Sequence, residues 1–233
     1  MVRRTKADAE ATRHRLLDAA ETLFQHKGVS NTSLNDIAVA AGTTRGAIYW
    51  HFKDKADLFN AMMERVSLPL EEALACLGAS ADRVDDPVRA LRLMMRTALR
   101  RVATDEQTRR VFEVATHQVE YTTEMSAVRE RHLRVRNDCM QQSEQALAAA
   151  AARQRVHLAM PVSTAALGMH VMIDGLIQNW LLQSEAFDLV NTGTRVLDTY
   201  LRGLGFRLPD HETLADDDDA AINAAPRCPT QRP

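Results

Sequence analysis

Apolar positions recur at helical spacing along most of this chain, and no stretch alternates long enough to argue for a strand. Leu16, Leu17, Ala20, Leu23 and Phe24 mark one face of a helix over about 8–27, which Gly28 terminates. Leu34, Ile37 and Ala41 then fall at i, i+3 and i+7. Ser33 and Asp36 make a capping box at the start of that short helix, and Gly42 ends it. Thr43 or Thr44 caps a second short helix through about Phe52, with Ala47, Ile48 and Phe52 as its buried side. Ala38 is small enough for the two helices to cross closely. Two short helices crossing steeply through a tight turn predict a helix-turn-helix, braced by the first helix into a three-helix bundle.

The pattern continues. Asp54, with Asp57 three residues on, starts a longer helix carrying Leu58, Phe59, Met62 and Val66. It continues through Leu70, Leu74 and Leu77, with a kink expected at Pro69. One end of this connecting helix serves the small bundle and the other enters a second core. After a polar linker over 78–86, Pro87 opens a helix lined by Leu91, Met94, Met95, Ala98, Leu99 and Val102. Thr104 with Gln107 is read as the cap of another, and a long helical pattern follows over about 123–155. Ser163 is read as the cap of a helix to about 184, and a last helix covers about 189–204. Gly168 and Gly175 share one face of the 163–184 helix, and each costs roughly 1 kcal/mol against alanine, so close helix packing is expected there.

The fold class expected is all-α. A helix-turn-helix domain covers 10–70, a second helical domain covers 71–206, and a tail covers 207–233. That tail carries the acidic block Asp216 to Asp219, and disorder is expected beyond about Pro209.

Composition narrows the class. Hydrophobic residues make up 45% of 233, with only 9 Gly and 7 Pro, which suits packed helices better than a sandwich or barrel. The absence of an apolar run of about 18 residues argues against a membrane partner. Cys76, Cys139 and Cys228 are too scattered for a disulfide framework, and a cytoplasmic location is expected. The net charge is −2. Residues 1–66 hold ten Lys/Arg against eight Asp/Glu, a net of +2, which leaves −4 for the remainder. Any DNA affinity must therefore come from a few placed cations rather than a global field. Arg3, Arg4 and Lys6 form a short basic arm before the first helix.

Those placed residues lie on the second short helix. Arg45 offers a planar fork for guanine edges, and Gly46 lets the backbone approach DNA. Thr44 and Tyr49 carry hydroxyls for phosphate oxygens, while Trp50 and His51 extend an aromatic polar face. Ser33 joins the set from the preceding helix start. Lys55, at the next helix N-terminus, is expected to face a phosphate. Double-stranded operator DNA is the expected partner. Because one helix reads too few base pairs, a homodimer on a palindrome is expected as well.

With these residues in view, the stretch TSLNDIAVAAG at 32–42 followed by TRGAIYWHFKDKADLF at 44–59 resembles the TetR family of transcriptional repressors. The opening RRTKADAEATRHRLLDAAETLF at 3–24 is similar to that family's first helix. GAIYWHFKDK, with the downstream run Asp174-Gly-Leu-Ile-Gln-Asn-Trp-Leu, looks like its AcrR-type branch, whose members repress multidrug efflux operons and are released by hydrophobic drugs. The resemblance implies a hydrophobic small-molecule effector and a dimer built on the last two helices. Trp180, Leu181, Val190, Leu197, Tyr200 and Leu201 are the interface candidates.

Flexible hydrophobes, among them Met62, Met94, Met95, Met169 and Met172, suit an adaptable core or pocket. Asp174 lies among Ile173, Leu176 and Ile177, where a carboxylate needs a partner, a water or a ligand, and His170 is one possible partner. The resemblance places the matching carboxylate on a drug pocket. Val66, Leu91, Met95, Phe112, Thr116, Cys139, His170, Ile173 and Ile177 are the other lining candidates. Phe112 and Thr116 stand where relatives often carry polar residues, so the ligand set is expected to differ.

An enzyme is disfavoured. Glu113, His117 and Glu120, or His170 with Asp174, have helical spacing but not the density of a metal site. No glycine-rich phosphate loop or nucleophile elbow occurs, so neither catalytic residues nor a cofactor are expected. The reading is a ligand-responsive repressor; the alternative is an effector-independent or architectural DNA-binding protein.

Overall fold

A computed structural model of the chain describes residues 6–81 and 87–208, with 69–81 described by backbone alone. Among the described residues the regular structure is helical throughout. The elements are α1 (Lys6–Lys27), α2 (Leu34–Ala40), α3 (Arg45–His51), α4 (Lys55–Ala81), α5 (Pro87–Thr104), α6 (Glu106–His117), α7 (Ser126–Gln154), α8 (Val162–Leu182) and α9 (Leu189–Gly203). A single 3-10 turn, Thr123–Met125, precedes α7. The helix order follows the hydrophobic pattern closely.

Residues divide into two compact units, 1–67 with 106–135, and 68–105 with 136–233. The expected boundary near 70 lies close to the first break. By packing, 106–135 groups with the first unit, whereas the sequence reading carries it in the 71–206 domain. Val111 and Val114 of α6, with Met125 and Val128, are buried in the core that contains Leu16, Phe24, Ile37, Ile48 and Phe59. A contiguous reading of the sequence has no means of seeing that a later helix returns to an earlier core.

In the first unit, α1 lies under α2 and α3, and Phe24 meets Phe59 of α4 with ring centroids 6.0 Å apart. Burying side chains of this size contributes roughly 1.5–3 kcal/mol each. A polar knot accompanies them. The buried Glu21 carboxylate of α1 pairs with Arg65 of α4, accepts from Gln107 Nε2 at 3.1 Å, and lies 3.6 Å from Arg110 Nε of α6. Asp18 adds a 2.7 Å pair to the same Arg65.

The second unit is built on α5, α8 and α9, with Val88, Leu91, Leu147, Ala166, Met169, Leu197 and Leu201 buried together. Arg92 of α5 grips Asp198 of α9 with two hydrogen bonds of 2.6 and 2.7 Å, both side chains being buried. The close packing expected at Gly168 is present: a Cβ there would lie 2.5 Å from Tyr200 Oη, whose hydroxyl donates to Ala165 O at 2.8 Å. Gly175 has open space around it instead.

Two expected caps are corrected. Thr104 is the last residue of α5, where its hydroxyl donates to Arg100 O at 2.9 Å, so it does not cap α6. Ser163 lies inside α8, which starts after Pro161 without a side-chain cap. The fixed φ of proline, −54° here, already leads into a helix. The polar linker expected over 78–86 is helical as far as Ala81, and α4 continues through Pro69. Residues 82–86, the basic arm at Arg3 and Arg4, and the tail beyond 208, including Cys228 and the acidic block, lie outside what the structure describes, as does the side chain of Cys76.

Candidate nucleic-acid interface

The α2–α3 corner is set by local bonds. Ser33 Oγ accepts from Asp36 N at 3.1 Å, and Asp36 Oδ2 accepts from Ser33 N at 3.0 Å, which completes the capping box. The Ser33 hydroxyl also donates to Asp36 Oδ2 at 2.7 Å, and this bond first, with the Ser33 backbone N–H second, holds the Asp36 carboxyl below the usual range. Gly42 takes φ +64°, the left-handed conformation a side chain would strain, and Thr43 N returns to Ala38 O at 2.9 Å. Thr44 then caps α3, its hydroxyl accepting from Ala47 N at 3.2 Å. Ala38 and Ile48 are fully buried at the crossing. Thr44 is the cap and Thr43 is not.

This geometry exposes one face of α3. Thr44, Arg45, Gly46, Tyr49 and Trp50 are all exposed, Trp50 at 74%. The Arg45 guanidinium stacks over the Tyr49 ring at 5.7 Å, so the fork is held extended along the helix surface. His51 is half-buried and meets the Trp50 ring edge-on at 4.7 Å. A concavity lined by Ser33, Tyr49, Lys53 and Lys55, with Asn31, Asp36 and Glu124 among its other walls, adjoins this face. Ser33 is exposed within it.

Lys55 departs from its expected role. Its ammonium donates to Val29 O at 3.1 Å and Thr32 O at 3.3 Å, and its side chain is only 11% exposed. Lys53, absent from the expected set, is a cation that does stand in the open beside it, as Arg45 does on α3. Its backbone N–H donates to Asp57 Oδ2 at 2.9 Å, while Asp54 Oδ1 accepts from Asp57 N at 2.8 Å. The signal was present: Lys53 precedes the Asp54 cap, outside the helix, so its side chain is not drawn into the helix's own contacts.

The effector candidates divide between the units. Val66 is buried in the first core, with Phe112 packed against it and Thr116 half-buried. In the second unit Leu91, Ile173 and Ile177 are buried, while Met95, Cys139 and His170 are half-buried. Asp174, expected among apolar neighbours, is exposed and accepts a hydrogen bond from Gln178 Nε2. Asp174 and Gln178 each follow a buried isoleucine by one residue, about 100° around α8, which carries them out of the buried stripe. Of the metal-spaced residues, Glu113 accepts from Gln25 at 3.0 Å and Glu120 from Ser30 at 3.3 Å.

The dimer candidates need revision. Leu197 and Leu201 are fully buried inside their own protomer, and Trp180 nearly so, which leaves them little surface for a partner. Leu181, Val190 and Tyr200 keep partial exposure. The open apolar positions of α8 are Leu167, Val171 at 58% and Leu182 at 69%. The sequence cannot tell these from the buried leucines, because both sets are apolar at helical spacing.

Comparison with known proteins agrees with the geometry. Residues 16–62 match the family described as bacterial regulatory proteins, tetR family, and 86–206 match the C-terminal region of MAATS-type transcriptional repressors. The chain is 37% identical over 201 residues to the HTH-type transcriptional regulator TtgR of Pseudomonas putida, covering 86% of this chain and 95% of that one. It is similar to the crystal structure of NalD, the secondary repressor of the MexAB-OprM multidrug efflux pump in Pseudomonas aeruginosa. That match has a TM-score of 0.77 and 38% identity over 85% of this chain and 98% of NalD. It is similar also to a triclosan complex of SmeT, the repressor of a Stenotrophomonas maltophilia efflux pump, with a TM-score of 0.71 and 30% identity over 86% of this chain and 100% of that one. The two family matches together span most of the chain, and the similarity runs along nearly the whole length of these regulators: the chain belongs to the TetR family of transcriptional repressors.

Proposed function

We propose that this protein represses a multidrug efflux operon, binding a palindromic operator as a cytoplasmic homodimer and leaving it when a hydrophobic drug binds. The observation that carries the reading is the α3 face, where Arg45, Tyr49 and the 74%-exposed Trp50 stand clear of the core on a helix fixed by its own cap. The efflux role is supported by NalD and SmeT, both repressors of such pumps. SmeT in complex with triclosan supports a lipophilic effector.

Two recognition helices about 34–36 Å apart read one half-site each. The open stripe Leu167, Val171 and Leu182 on α8 supports a second copy as its cover. The drug releases DNA only to the extent that it binds the non-operator geometry more tightly. α4 contributes residues to both units and is the natural carrier of that change. His170, half-buried on α8, is proposed to set the polar part of effector recognition beside Leu91, Met95, Cys139, Ile173 and Ile177 of the second unit, with the exposed Asp174 at its outer edge.

The test is a gel-shift titration on DNA upstream of the protein's own gene, at fixed salt, with and without triclosan and a panel of lipophilic antibiotics. A discrete complex that a drug dissolves is the expected result. Arg45→Ala should weaken that complex by roughly 1–3 kcal/mol, about 5- to 150-fold, and leave drug affinity unchanged. A complex that no compound dissolves would favour the effector-independent alternative.

A further inference from the structure

We infer that Lys55 is a positioning residue of the operator-binding surface and not one of its phosphate contacts, an inference that rests on the repressor reading. Lys55 opens α4, yet its ammonium faces inward. It donates to Val29 O at 3.1 Å and Thr32 O at 3.3 Å, with Glu124 Oε1 4.0 Å away. An ammonium has three protons and no acceptor. Here two are engaged by carbonyls and the charge is balanced by a carboxylate.

The two carbonyls belong to the loop that joins α1 to α2. Val29 and Thr32 are both buried, so their backbone groups need partners inside the protein. Lys55 supplies the donor from α4. On the other side of the loop Val29 N donates to Gln118 O at 3.1 Å, just after α6. Within it, Thr32 Oγ1 donates to Gly28 O at 2.8 Å, and Gly28 takes φ +79°. The loop is thus gripped from two sides, and the residue it delivers is Ser33. Ser33 is exposed, caps α2, and lines the same concavity as Tyr49 and Lys53. Lys55 therefore fixes where Ser33 and the start of α2 stand relative to α3, while Lys53 is left to meet the phosphate.

Salt dependence separates the two roles. A cation that contacts phosphate releases counterions, so deleting it lowers the log–log salt slope of binding by about 0.9 per contact. A positioning residue changes affinity at every salt concentration and leaves the slope parallel. Operator affinity is to be measured across a salt series for the full-length protein, Lys55→Met and Lys53→Met, with amide hydrogen exchange over 28–36 recorded on the free proteins. The expected result is a loss of about tenfold in affinity for Lys55→Met with an unchanged slope and faster exchange at Thr32 and Ser33. Lys53→Met should lower the slope without altering exchange.

A slope that drops in Lys55→Met as it does in Lys53→Met would overturn the assignment, as would unchanged affinity with unchanged exchange. Should Lys55→Met not fold, Lys55→Gln serves in its place. Its uncharged amide can still donate to a loop carbonyl, so a positioning role predicts that affinity is retained in part with the slope unchanged, and a phosphate role predicts the reduced slope. If the wild-type protein bound no operator, the repressor reading would fail on its own, while the exchange comparison would still report whether Lys55 holds the loop.

Discussion

The α2–α3 corner and the α5–α9 pair are both helix crossings, but they are held by opposite means. At the corner, every named polar bond spans at most five residues: Ser33 with Asp36, Thr44 with Ala47, and Thr43 back to Ala38. The Ser33, Asp36 and Thr44 side chains are exposed. Between α5 and α9, Arg92 and Asp198 are 106 positions apart and buried. Gly193 of α9 lies so close under α5 that a Cβ there would stand 2.5 Å from Leu99 Cδ1. The corner must leave its face open for DNA, so it is shaped by short bonds that need no covering layer. The scaffold has no such duty and is shaped by burial.

The contrast predicts a hierarchy of damage. Asp198→Ala strands a buried guanidinium and should cost about 3–5 kcal/mol of stability, measured by denaturant unfolding. The double change Arg92→Leu with Asp198→Leu should recover much of that, because neither charge is left unpaired. A double variant as unstable as the single one would show that the pair is not the tie. Gly168→Ala comes next: its new Cβ would meet the Tyr200 hydroxyl and disturb the bond to Ala165 O, for about 1–3 kcal/mol by the same measurement.

At the corner, Ser33→Ala should cost about 1 kcal/mol or less in stability but measurably weaken operator binding. The smallest effect is in pH. The Asp36 carboxyl is held low in the folded state, so its share of stability is present above the usual aspartate range and is lost as pH falls through the depressed value. The gap between wild type and Ser33→Ala should therefore be larger near neutrality than in acid, where only the bond from Asp36 N to Ser33 Oγ remains to distinguish them. A gap of equal size at both pH values would mean that the Asp36 carboxylate contributes nothing to it.

The same contrast explains what was legible. Helix order, the α3 face and the Gly42 turn follow from neighbours in the chain, and family resemblance reinforced them. The caps placed at Thr104 and Ser163 failed because a hydroxyl near a helix end can equally bond back to the preceding turn, as Thr104 does to Arg100. Lys55 was misdirected for a different reason. Its carbonyl partners are 26 and 23 residues away, beyond any local pattern. Lys53, two positions before it, carries an equal charge, and only the fold decides which lysine turns in.

By itself the sequence determined the helices, the corner and the chemistry offered to DNA, because periodicity, caps and turn glycines act within a few residues. The tertiary structure decided the return of α6 to the first core and the burial of Leu197 and Leu201 rather than Leu167 and Val171. It also decided the pairing of Arg92 with Asp198 and the inward turn of Lys55. Each of these depends on which surfaces meet across a long loop of chain. Residues of like polarity are equivalent until that meeting distinguishes them.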